Sequence, residues 1–180
     1  MSMFPPGFSE TPARHTVNLL EVPPFLRMIL VADGTVTKLL EAFFLTPIQI
    51  RIIAQDVTDA DPFETGASEQ VLSRAVVLDN AALGQTYGYA TSFTVLRSLG
   101  PELREALLTG RIGIGALLRQ QRMETFREHV SIRTREAGDS AGPLQISSGA
   151  PVVERTYRIF TNRKPLVQIC EVFPIEIFLH

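Results

Sequence analysis

Apolar residues along this chain recur with two periods, and the switches between them mark its elements. "VPPFLRMILVADG" opens on Pro23-Pro24 and closes on Gly34, which predicts a short helix from Phe25 to Val31. "TVTKLLEAFF" predicts a second helix, capped by Thr35 or Thr37, with Leu39, Leu40 and Phe43 on one face. "PIQIRIIAQDV" then alternates: Ile48, Ile50 and Ile52 point one way, Gln49 and Arg51 the other, as in a half-buried strand. Thr58 to Ser68 is mostly polar, with Asp-Pro and Thr-Gly pairs, and reads as a loop. Two further strands follow, "QVLSRAVVLDN" and "QTYGYATSFTVL", the second with Tyr87, Tyr89, Thr91 and Phe93 on one face. "PELREALLTG" is a helix bounded by its proline and by Gly110, and "IGIGALLRQQ" turns helical after two glycines. "METFREHVSIRTRE" is a strand from about Phe126, with Phe126, Glu128, Val130 and Ile132 sharing a face. After the loop "AGDSAGPLQISSGAP", the segment "VVERTYRIFTNRKPLVQICEVFPIEIF" forms a hairpin turning at Asn162-Arg163-Lys164.

The strands are consecutive and the helices do not alternate with them. This pattern predicts an α+β fold on a single, mainly antiparallel sheet. A chain of 180 residues fits one domain, taken here as 21–180, behind an N-terminal tail or arm of 1–20 that is rich in proline. The net charge of −2 and the lack of a polybasic tract argue against nucleic acid as a partner. Cys170 is the single cysteine, so neither an internal disulfide nor a thiolate-based zinc site can form within one chain. His15, His129 and His180 lack metal-ligand spacing, and no metal is expected. No apolar run is long enough to span a bilayer, and the N-terminus does not resemble a secretory signal, so a cytoplasmic protein with no membrane partner is expected. Oligomeric state is left open between a monomer and a small homo-oligomer.

Three features carry candidate chemistry. Arg74 shares its strand face with Leu72, Val76 and Leu78, so a permanent charge interrupts an apolar row. Its planar fork suits a carboxylate, although an internal salt bridge or an arginine reaching out from an edge strand explains it as well. Glu171 lies between Val167, Ile169 and Phe173 on one strand face. Desolvation of such a carboxyl favours its protonated form, which suits a proton donor or carrier; alternatively Glu171 neutralises Arg74 or another arginine. In "GRIGIGALL", Gly110, Gly113 and Gly115 allow close backbone approach at a helix start, where N–H groups attract anions. The spacing is not that of a dinucleotide fingerprint, and a glycine-rich connector is the plain alternative. Ser147-Ser148-Gly149 has no evident His-acid partner, Cys170 reads as a packed side chain, and Glu124, Arg127 and Glu128 read as a solvated strand edge from which Glu124 can reach a pocket.

The segments "LRMILVADGTVTKLLE", "VLSRAVVL", "YGYATSF", "GIGALLRQQRMETFRE" and "YRIFTNRKPLVQICEVFP" occur in an order that resembles the chorismate pyruvate-lyase family, in its branch outside the ubiquinone-pathway enzyme. The resemblance runs from about Leu26 to Phe173 and leaves the N-terminal tail uncovered. It implies one antiparallel sheet with helices packed on one side and an enclosed ligand pocket under two flaps. The same fold serves as the effector-binding domain of some transcription regulators. It further implies that Arg74 holds the ring carboxylate of the product, helped by backbone amides of the flaps at Val36 and Ile114, with Gly113 and Gly115 beside the latter. Glu171 would contact the product hydroxyl. The ubiquinone-pathway branch has methionine where this chain has Val36, which a backbone contact tolerates. The "METFRE" form is that of the other branch, so no role for Glu124 or Arg127 carries over. The implied reaction eliminates pyruvate from chorismate to give 4-hydroxybenzoate, without a metal or redox cofactor. A same-fold isomerase or cyclase acting on another conjugated or aromatic acid in secondary metabolism, and a non-catalytic binder of aromatic acids, stay open beside it. For a regulator, the roughly two dozen residues ahead of the domain leave no room for a DNA-binding helix-turn-helix.

Overall fold

The computed structural model describes residues 17–33, 36–110, 113–120 and 124–179. The expectations for the tail up to residue 16, for Thr35 as a cap, and for His15 and His180 lie outside these residues. Two helices come first, α1 (Pro24–Val31) and α2 (Val36–Phe44). Strands β1 (Gln49–Ala60), β2 (Glu69–Asn80) and β3 (Gln85–Val95) follow, then α3 (Pro101–Leu108) and α4 (Ile114–Gln120). Strand β4 (Phe126–Glu136), the single turn α5 (Ala141–Leu144) and strands β5 (Pro151–Thr161) and β6 (Lys164–Pro174) complete the domain. The six strands form one antiparallel sheet in the order β1-β2-β3-β6-β5-β4. It consists of two three-stranded halves joined where β3 pairs with β6. The expected α+β class holds.

Helices α1 to α4 lie on one face of the sheet and build two separate cores there. Leu26, Ile29 and Leu30 of α1 and Leu40 of α2 pack with Leu78, Val153 and Phe173 at one end. Leu107 of α3 and Leu117 and Leu118 of α4 pack with Leu72, Ile159 and Val167 at the other. Each fully buried aliphatic side chain in these clusters contributes roughly 1.5–3 kcal/mol. Between the two cores the sheet face borders a cavity that residues of α2 and α4 also line, and the site lies there. On the outer face, Glu154 accepts from Arg133 and Arg135, and the segment around α5 covers Val152 and Val172. Val17 and Leu19, assigned to the tail, pack against the first core.

Several expectations are corrected by the sheet. Strand β1 is exposed along most of its length rather than half-buried, because it is an edge strand and its Ile50 and Ile52 face open space instead of a packed layer. It also continues through Ala60, so the loop begins at Asp61. Tyr87 does not share a face with Tyr89: the register shifts where Leu78 pairs with Gly88 and Asp79 with Thr86, which leaves Tyr87 as an extra residue turned into the helix-side core. A second bulge, at Val130, breaks the alternation expected in β4. Arg127, not Phe126 or Glu128, therefore falls on the inner face with Ile132. Phe43 stacks on Phe25 yet is 37 % exposed.

The β5–β6 hairpin turns tightly through Asn162 and Arg163, both with positive φ (48° and 61°). This is the geometry of the type I′ turn, which favours glycine at its second central position. Holding a side-chain-bearing residue there costs about 1–2 kcal/mol. Arg163→Gly is therefore expected to stabilise the protein by about 0.5–1 kcal/mol after the added chain entropy. Thermal unfolding checks this, with a rise in Tm of about 2 °C expected; a fall would contradict the turn assignment.

Candidate functional site

Cross-strand register places the site. On the inner face, one ladder runs Gln55–Arg74–Ser92–Ile169–Tyr157–His129. The next runs Ile52–Val76–Ala90–Glu171–Arg155–Ile132. Strand β3 supplies only small side chains to this face, Gly88, Ala90, Ser92 and Thr94, while Tyr89, Thr91 and Phe93 point outward. Small side chains in the middle of a sheet leave space that flanking cores do not fill. The result is a cavity of about 470 Å³ with Arg74, Glu171, Val36 and Ile114 in its wall. Gly113 and Gly115 line it as well. The residues expected to act together are thus brought together. The cavity has an open side among the described residues, so the expected full enclosure does not extend to what they form. Glu124 is exposed and outside the wall, whereas Arg127 is part of it.

Arg74 is 7 % exposed. Its Nε donates to Gln55 Oε1 at 2.8 Å, and one terminal nitrogen donates to the Leu107 carbonyl at 2.5 Å. Leu107 lies in the last turn of α3, whose carbonyl end favours a cation, and its oxygen also accepts from the Gly110 N–H. That helix ends as expected at Gly110, whose φ of +70° few other residues adopt. Burial lowers the guanidinium pKa from its ordinary value, but arginine keeps its charge in proteins.

Glu171 is not paired with Arg74. Its Oε2 accepts from Arg155 Nε at 2.7 Å, and its Oε1 accepts from the Tyr157 hydroxyl at 3.1 Å. Both neighbours donate to Glu171, and of the alternatives read from the sequence the ion pair is formed, with another arginine, Arg155, rather than with Arg74. Arg155 is 1 % exposed, the largest fully buried side chain among the described residues. It also donates to the carbonyls of Ile29 and Ala32 at the end of α1, tying that helix to the sheet. Burial works against its charge, but the Glu171 carboxylate outweighs this and raises its pKa. Burial, and then the charge on Glu171, push the Tyr157 phenol well above its ordinary value, so it stays a donor.

Arg155 and Tyr157 were missed as site residues, although Val153, Arg155, Tyr157 and Ile159 alternate as visibly as the Arg74 row. Cys170 points to the outer face, where burial and the charge of Glu154 push its thiol up to about 11, in keeping with a packed, unreactive side chain. Among the described residues no cluster of side chains could hold a metal ion, and no helix is long and apolar enough to cross a membrane.

Solved structures at low identity share the fold. The effector domain of PhnF from Mycobacterium smegmatis superposes with a TM-score of 0.62 at 17 % identity, covering 81 % of this chain and 91 % of that one. The C-terminal domain of the histidine utilization repressor from Pseudomonas syringae gives 0.57 at 16 % identity, over 71 % and 92 %. Among curated proteins, "Putative lyase MJ0807" of Methanocaldococcus jannaschii is 29 % identical over 155 residues, 83 % of this chain and 78 % of that protein. The chorismate pyruvate-lyase of Mycobacterium tuberculosis is 24 % identical over 165 residues, 85 % and 81 % of the two chains. The model of the family described as "Chorismate pyruvate-lyase Rv2949c-like" matches residues 30–179. With that match over most of its length, the chain belongs to the Rv2949c-like chorismate pyruvate-lyase family.

Proposed function

We propose that this protein eliminates pyruvate from chorismate to give 4-hydroxybenzoate. The observation that carries the reading is that Arg74 and Glu171 face one cavity from neighbouring ladders, with two strands' spacing between them. At roughly 4.8 Å per strand and two residues' offset, their Cα atoms are about 12 Å apart. Two inward-reaching side chains at that separation can hold the two ends of one aromatic ring.

In this reading Arg74 anchors the ring carboxylate, already oriented by Gln55 and the Leu107 carbonyl. The backbone N–H groups of Val36 and Ile114, at the first positions of α2 and α4, add donors to that anion. Glu171 accepts a hydrogen bond from the C4 hydroxyl, and its orientation is fixed by Arg155 and Tyr157. The C3–O bond to the enolpyruvyl group breaks, the proton on C4 is lost, and the ring becomes aromatic. The released enolpyruvate takes up a proton and becomes pyruvate. Aromatisation supplies the driving force, so the protein's task is orientation and charge placement.

The test is incubation of the purified protein with chorismate and detection of pyruvate. Release that scales with protein concentration supports the reaction. No pyruvate from a folded sample would sink it, and binding of an aromatic acid without turnover would favour an isomerase, cyclase or sensor on the same fold.

A further inference from the structure

Arg127 is half-buried in the cavity wall, on the strand at the far edge from Arg74. It pairs across the ladder with Ile159 of the second core, so apolar packing surrounds its stem. Among the described residues no carboxylate or carbonyl takes its charge. The neighbouring Glu128 lies on the opposite strand face and sits 4.0 Å from Arg158. A half-buried arginine kept without an internal counter-ion is costly unless something else supplies the anion.

The other cations of the wall are placed differently. Lys38 is exposed and paired with Glu41 at 2.6 Å, and Arg119 is exposed, folded back beside Gly115. Sheet order then gives the spacing. Arg74 on β2 lies two strands to one side of Glu171 on β6, and Arg127 on β4 lies two strands to the other. Across the sheet Glu171 therefore lies between the two arginines; along β6, Arg74 is level with Ile169 and Arg127 with Val167, so both sit to the same side of Glu171 and Arg127 is the more distant.

We infer that Arg127 binds a second carboxylate, which makes the cavity selective for dicarboxylic acids that carry one acid group on the ring and another on a side arm beside the ring hydroxyl. This rests on the reading in which Arg74 takes the ring carboxylate and Glu171 the hydroxyl. In chorismate the enolpyruvyl arm leaves the ring next to the hydroxyl-bearing carbon. Its carboxylate therefore points away from Arg74, past Glu171, toward β4. Arg127 is then a substrate-positioning and specificity-determining residue. Product lacking the arm would lose this contact, which eases its release.

Calorimetric titration with two stable acids tests the assignment apart from turnover. The probes are 4-hydroxybenzoate and 3-(carboxymethoxy)-4-hydroxybenzoate, which differ only in the acidic arm. Wild-type protein is expected to bind the dicarboxylate more tightly. Arg127→Met is expected to lose about 30-fold for the dicarboxylate, the worth of a charge-assisted contact, and to change by less than about twofold for the monocarboxylate. Arg127→Lys keeps the charge and is expected to recover part of the loss, which separates binding from folding. Equal affinity of wild-type protein for the two acids, or equal losses for both in Arg127→Met, would overturn the inference. An Arg127-dependent preference for the dicarboxylate without pyruvate release from chorismate would defeat the proposed reaction alone. Turnover of chorismate by Arg127→Met with unchanged kcat/KM would defeat this inference alone.

Discussion

Replacement of Arg155 by methionine is expected to destabilise the protein by about 3–5 kcal/mol, the usual cost of leaving a buried charge without its partner. The side chain joins three elements: it holds Glu171 on β6 and the last carbonyls of α1 from its place on β5. Removing it leaves a carboxylate that is 7 % exposed with no counter-charge and takes one donor from the Ile29 and Ala32 carbonyls at the end of α1. The double variant Arg155→Met/Glu171→Leu removes both charges and is expected to recover about 2 kcal/mol or more of that loss, because an apolar pair of similar volume needs no counter-ion. Urea unfolding of the four proteins in the cycle measures the coupling. Additive losses would show that the two residues do not depend on each other, against the geometry.

Arg74→Met is expected to have the largest effect on activity. Two charge-assisted hydrogen bonds to a substrate carboxylate are worth roughly 3–6 kcal/mol, so kcat/KM for chorismate should fall about 10²- to 10⁴-fold. The expected stability cost is smaller, about 1–3 kcal/mol, because Arg74's bonds to Gln55 and Leu107 involve neutral oxygens that can turn to water or another donor. The ratio of the two effects is the discriminating readout. A large loss of stability with little change in kcat/KM would make Arg74 a structural brace for α3 rather than a ligand anchor.

Alternation by two along a strand reveals a charged residue in an apolar row, and for Arg74 and Glu171 that sufficed to bring out both. Arg155 obeys the same rule in "VVERTYRIF" and was legible on the same grounds. Arg127 was not, because the bulge at Val130 swaps the faces upstream of it. Counting back from Ile132 puts Phe126 inside, whereas the structure exposes Phe126 and turns Arg127 inward. A bulge adds one residue on one strand, and no local residue type announces it here. Tyr87 changed sides for the same reason. Strand order lies further from local pattern still. The pairing of β3 with β6 joins segments about eighty positions apart, and it is this pairing that sets Glu171 on a strand between those of the two arginines. The exposure of β1 follows from its edge position and from a cavity where its isoleucines would otherwise meet a core.

The proposed reaction takes chorismate to pyruvate and 4-hydroxybenzoate in one cavity, through Arg74 and Glu171. Quantifying both products from a single incubation tests it most directly. Pyruvate and 4-hydroxybenzoate in equal amounts, formed by wild-type protein and reduced at least about a hundredfold in Arg74→Met, is the predicted result. A ring product with its hydroxyl at another position, or chorismate recovered intact from folded protein, would contradict it.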